Sequence, residues 1–171
     1  MASIRVYSDP LQHAAIAAAV AAPLVPRAGR GVLVTAVAVA TVIDFDHAVA
    51  ARSLRVHATT SLSTRPRSHS LLTALVAGGA VTAAAGPAHG WAAFGALASH
   101  LLHDAGDQGA PTPVLWPFAP ARQLGRRRQL AVTAALVLGS VAVSRAAAAT
   151  SRAPSAAAVH AAAAATPPRT A

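Results

Sequence analysis

The chain contains no cysteine. Disulfides and thiolate metal sites are excluded, so any metal must be held by nitrogen and oxygen donors. Lysine is missing as well: all 14 basic residues are arginine. Glutamate is missing too, and the five acidic residues are Asp9, Asp44, Asp46, Asp104 and Asp107. Charged residues make up 11% of the chain, against roughly a quarter in ordinary soluble domains. Aromatic residues are 4%, so the apolarity rests on alanine and small aliphatic side chains. No G-x-S-x-G, phosphate loop or dinucleotide glycine motif occurs, which removes the usual signals of serine hydrolases and nucleotide enzymes.

What remains is 54% hydrophobic, with mean hydropathy +0.49 and long uncharged runs. A membrane protein is the leading expectation, and a soluble alanine-rich helical bundle is the alternative. The formal net charge of +9 would suit nucleic acid. The arginines flank apolar runs, however, and are not interleaved with aromatics. That placement suits membrane topology, with the lipid bilayer as partner and no nucleic acid expected.

Five apolar runs punctuate the chain: 11–25, 32–43, 71–85, 91–102 and 130–143. The first is read as a retained helix more than as a signal-peptide core, because its leading segment has only Arg5 and His13 interrupts it. Arg27-Ala28-Gly29-Arg30-Gly31 and Gly86-Pro87-Ala88-His89-Gly90 read as turns. Pro66 stops any helix through the 48–67 connection, and Ser68 is a candidate N-cap for the third run. Each run is shorter than the roughly 20 residues of a perpendicular span, but the abundance of Ala, Gly, Ser and Thr suits close helix packing in lipid. The expected fold is all-α: a polytopic bundle of four to five short transmembrane helices. Residues 1–128 would form the membrane-embedded domain and 129–145 an additional span. Residues 146–171 would be a disordered or weakly helical tail.

Running the first four helices up and down sorts the polar residues. All five aspartates and six of the eight histidines (His13, His47, His57, His69, His100, His103) fall on one face. Ionisable groups at membrane helix ends are costly unless they pair or bind something, so one polar site built from several helix ends is expected. Nine arginines lie on that face and five on the other, which makes the site face cytoplasmic in a multi-pass cell-membrane protein.

His100 and Asp104 are four apart on one helix and share a face, with His103 beside them. With Asp44, Asp46, His47 and His69 they make a set of imidazole and carboxylate donors suited to Zn, Mn or Fe, or to Mg if carboxylates dominate. His13 and His103 are additional candidates. The number of donors leaves one ion or two open. Asp46 and Asp104 are the candidate catalytic carboxylates, and Arg65 or Arg67 would hold an anionic substrate group. The duller readings are helix caps for Asp44 and Asp46, a solvated loop for His57, and an interfacial anchor for Trp116 and Phe118. Arg126-Arg127-Arg128 reads as a topology signal or lipid-headgroup contact.

Four segments resemble the membrane-bound metal-dependent hydrolase family, also described as LexA-binding inner-membrane hydrolases. They are Asp44-Phe45-Asp46-His47, Thr64-Arg65-Pro66-Arg67-Ser68-His69-Ser70, Ser99-His100 to Asp104, and Trp116-Pro117-Phe118. The family pattern is roughly D-x-D-H, H-R-x-x-T-H-S, S-H-x-x-x-D and a late P-F, and the likeness spans residues 10–120. The resemblance implies a polytopic helical protein with a divalent metal held by Asp44, Asp46, His47, His69, His100 and Asp104, with His13 matching an N-terminal family histidine. It implies hydrolysis of an ester or phosphoester, including lipid ones. This chain has Thr64 and Ser68 where the family carries His and Thr, His103 in place of an apolar residue, and Asp107-Gln108-Gly109 in place of a Thr-Pro-x-Gly segment. A non-catalytic membrane protein with a structural metal or polar cluster, acting as a partner in a stress response, is the second reading. A cation or proton pathway is a third, disfavoured because runs 71–85 and 130–143 hold no ionisable residue.

Overall fold

The computed structural model describes residues 2–106 and 110–152. Asp107 and the 107–109 segment, His160, and the tail beyond residue 152 lie outside the described residues. Among those described, the chain is all-helical and forms no strand; one antiparallel bridge joins Thr112 to Arg122. Helix α1 (Ala2–Ala21) is followed by a 3₁₀ turn (Ala22–Leu24) and α2 (Val25–Ala28). Then come α3 (Gly31–Val42), α4 (Phe45–Ala51), α5 (Val56–Thr60), α6 (Leu71–Ala85), α7 (Pro87–Gly106) and α8 (Arg126–Arg152).

The helices outrun the apolar runs that announce them. Gly86, at φ 89°, alone ends α6, and Pro87 opens α7 where its missing N–H costs nothing. The 86–90 turn expected from the sequence is thus a single residue, and α7 reaches 20 residues. The N-cap of α6 is Ser70, which accepts from the Thr73 amide, and not Ser68. Helix α8 begins at Arg126 and continues to Arg152, past both ends of the expected 129–145 span.

Helix α7 is the axis of the fold and packs against α1, α3, α6 and α8. Buried positions recur every three or four residues on its neighbours: His13, Ala17, Val20, Ala21 and Leu24 on one side, Val32, Ala36 and Ala40 on another. The interior is built largely from alanine, while Val34, Val42, Val49, Leu75, Val76 and Leu138 are each more than half exposed. Small residues inside bring the backbones close. A Cβ at Gly90 would stand 2.7 Å from the Gly78 carbonyl oxygen, so only glycine permits this approach of α6 to α7. Among the described residues, two helical stretches are long and apolar enough to cross a membrane: Gly31–Ala51, which joins α3 and α4, and Arg126–Ala146.

Candidate metal centre

The His13 stripe of α1, the α3–α4 junction, the segment before α6 and the C-terminal half of α7 meet at one end of the bundle. Asp44 sits at the junction in helical backbone, so α3 runs on into α4 with only a slight break and Asp44, Asp46 and His47 stay close to one another. The 65–70 segment is pinned by backbone bonds from Arg65 N to Pro111 O (3.1 Å) and from Leu71 N to Val114 O (2.8 Å). The 110–124 loop thereby fixes where His69 enters.

Asp46 faces imidazoles with both oxygens. His69 Nδ1 donates to Oδ2 at 2.9 Å, His47 Nδ1 lies 3.0 Å from Oδ1, and the Ser68 hydroxyl also donates to Oδ2. A proton on Nδ1 of His69 leaves the Nε2 lone pair aimed inward. This is how an outer carboxylate orients a metal-ligating histidine. His69 Nε2 then stands 3.3 Å from Asp104 Oδ2 and 3.9 Å from Asp44 Oδ1. His100 Nε2 stands 3.4 Å and 3.3 Å from those same two oxygens. Donor atoms about 2.1 Å from an ion stand about 3.4 Å apart across a tetrahedron, so these separations are compatible with a coordination shell.

The angles agree. Nε2 of His69, Nε2 of His100 and both oxygens of Asp104 are buried without a hydrogen-bond partner, although they lie so close together. Buried polar atoms are nearly always bonded, and a set that converges without bonding each other is arranged around a common point. Two imidazole nitrogens and two carboxylate oxygens suit Zn, Mn or Fe better than an all-oxygen ion. The donor set therefore fits a divalent metal. His69, His100 and Asp104 are fully buried, whereas Asp44 is 33% exposed, so the cluster opens outward past Asp44.

Burial by itself would lower the pKa of His69. The carboxylates of Asp44 and Asp46 bonded to it, and the field of Asp104, outweigh burial and raise it.

His13 joins from α1, with Nε2 3.5 Å from Asp104 Oδ1 and its ring centroid 3.8 Å from that of His100. His103 packs edge-on to His13 and meets Gln129 Nε2 at 2.9 Å, one step away from the donors. Arg65 reaches the centre, donating to His47 Nε2 at 3.2 Å and standing in an ion pair 3.1 Å from Asp104 Oδ1. Arg67 does not: it is exposed, with its guanidinium 5.8 Å over the Trp116 ring. His57 is exposed on α5, and His89 pairs with Thr35 at the far end of the bundle. Ser68 and Gln129 carry site roles absent from the sequence expectations. A lone amide opening the apolar stretch of α8 is the available signal for Gln129, and nothing but position marks Ser68.

Compared with family models, with curated proteins and with solved structures, the chain has no match.

Proposed function

We propose that this chain is a membrane-embedded, metal-dependent hydrolase of an ester or phosphoester, a member of the membrane-bound metal-dependent hydrolase family its motifs resemble. The observation that carries the reading is the convergence of His69 Nε2, His100 Nε2 and Asp104 Oδ2, all buried without a hydrogen-bond partner, beside the partly exposed Asp44 Oδ1. A divalent ion there supplies Lewis acidity toward a carbonyl or phosphoryl oxygen and lowers the pKa of water into the neutral range. The chain's own residues prepare that chemistry. Asp46 holds His69 in its ligating tautomer, Asp104 is shielded from solvent by α7, and partly exposed Asp44 sits where substrate and water enter.

Membrane embedding is supported by the inside-out distribution of side chains, alanine within and valine and leucine without. Only 17% of the Gly31–Ala51 stretch and 11% of Arg126–Ala146 is buried within the fold, unlike the core helix of a soluble domain. Helices α1 and α7, at 20 residues each, are about 30 Å long, the length of a bilayer core, and on that length the bundle would have four to five spans. In that bundle the arginine-rich site end faces the cytoplasm. The second reading, a non-catalytic protein with a structural polar cluster, is favoured by one contact: Arg65 already neutralises part of Asp104.

The test is elemental analysis and ester and phosphoester turnover on detergent-purified protein, wild type against His69→Ala. Bound metal and turnover that both vanish in the variant support the hydrolase. Bound metal without turnover on any ester class leaves the structural reading. A wild type that folds and binds no divalent metal sinks the hydrolase and leaves a metal-free structural cluster.

A further inference from the structure

The candidate centre offers more donors than one ion needs, and its three groupings of His and Asp overlap on Asp44, His69 and His100. The surrounding charges decide between one ion and two. Asp44, Asp46 and Asp104 bring three carboxylates, and Arg65 brings one guanidinium, which leaves two negative charges for the metal to cancel. One divalent ion makes the cluster neutral. A second would strand two positive charges at the end of an apolar bundle, where uncompensated charge is expensive.

Proton placement removes one of the three groupings, that of Asp44, His47 and His69. A guanidinium only donates, so the 3.2 Å contact from Arg65 Nη1 requires a lone pair on His47 Nε2. The His47 proton then sits on Nδ1, which faces Asp46 Oδ1 at 3.0 Å and Asp44 Oδ1 at 3.9 Å. His47 thus presents N–H, not a lone pair, to the carboxylates. His69 is set the other way: its Nδ1 proton goes to Asp46, and its Nε2 lone pair faces the centre. The same guanidinium bridges His47 Nε2 and Asp104 Oδ1, 3.2 and 3.1 Å away.

Building on the metal-dependent reading above, we propose that the centre takes a single divalent ion. Arg65 is the built-in cation in the place of a second, and His47 is a positioning residue and not a ligand. Removing the guanidinium charge at constant reach would open that place to metal.

The experiment is a Mn²⁺ titration of the full chain in detergent, with free Mn²⁺ read by electron paramagnetic resonance and bound metal by elemental analysis. Wild type is expected to bind one Mn²⁺ per chain. Arg65→Met is expected to bind a second, with the spectral broadening of a coupled pair, and Arg65→Lys to return to one. His47→Gln is expected to keep one ion, whereas His100→Ala loses it. Two ions in wild type, one ion in a folded Arg65→Met, or loss of the ion in His47→Gln would each overturn the proposal. Should Arg65→Met not fold, the wild-type stoichiometry and His47→Gln still decide. One bound ion without hydrolysis would remove the hydrolase reading and leave this inference standing; two ions with hydrolysis would do the reverse.

Discussion

The two ends of the bundle solve the same problem in opposite ways. At the end away from the aspartates, three polar contacts are made in pairs. Thr35 meets His89 at 2.9 Å, Trp91 Nε1 donates to Ser140 Oγ at 2.9 Å, and Arg27 donates to Ser144. At the other end, imidazoles and carboxylates crowd to similar distances yet leave their inward atoms unbonded. The same helices and the same small-residue packing produce both. The difference is that paired polar groups close a fold, while converging unpaired ones leave room for a cation. Burial at the site end raises the stakes, because an unpaired buried charge costs far more than an exposed one.

The comparison breaks most completely if a donor is removed. His69→Ala or Asp104→Ala should weaken Mn²⁺ binding by more than the roughly 10–100-fold that outer partners of metal ligands are worth, as read by calorimetry in detergent. Asp46→Asn should retain the fold and weaken binding by about 10–100-fold, because it loosens His69 without removing a donor. An unchanged affinity would show that Asp46 does not orient His69.

Acid should blur the contrast. His69 has its pKa held above the ordinary 6.5 in the metal-free protein. Its protonated form therefore stabilises the metal-free fold below that value, and the contribution is lost as pH rises through the raised one. A metal must displace the Nε2 proton, so Mn²⁺ affinity should climb with pH across the same window. Affinity that is flat from about pH 6 to 8 would remove His69 from the ligand set. The smallest effect belongs to the far end. Trp91→Phe should cost about 1 kcal/mol of stability, one ordinary hydrogen bond, and leave Mn²⁺ affinity untouched.

Much of the helical layout is legible in residue spacing. His100 and Asp104 share a face because they are four apart, and the 3.6-residue repeat puts His13 on the stripe of Ala17 and Val20. Apolar runs understate helix length. Such a run ends where polar residues begin, whereas hydrogen bonding carries α7 on through His103 and Asp104 to Gly106. By residue type Arg67 is as eligible as Arg65, two positions away, and only the path of the 65–70 segment sends one inward and the other over Trp116.

Composition and spacing alone settled that a helical chain would carry no thiolate ligands, and that His100 and Asp104 share a helix face. Those are local properties, written in residue type and in the helical period. Which nitrogen of each imidazole keeps its proton, and whether Asp46 faces the centre or the histidines around it, only the tertiary fold decided. Both depend on partners far away along the chain, and no local pattern records where packing will bring them.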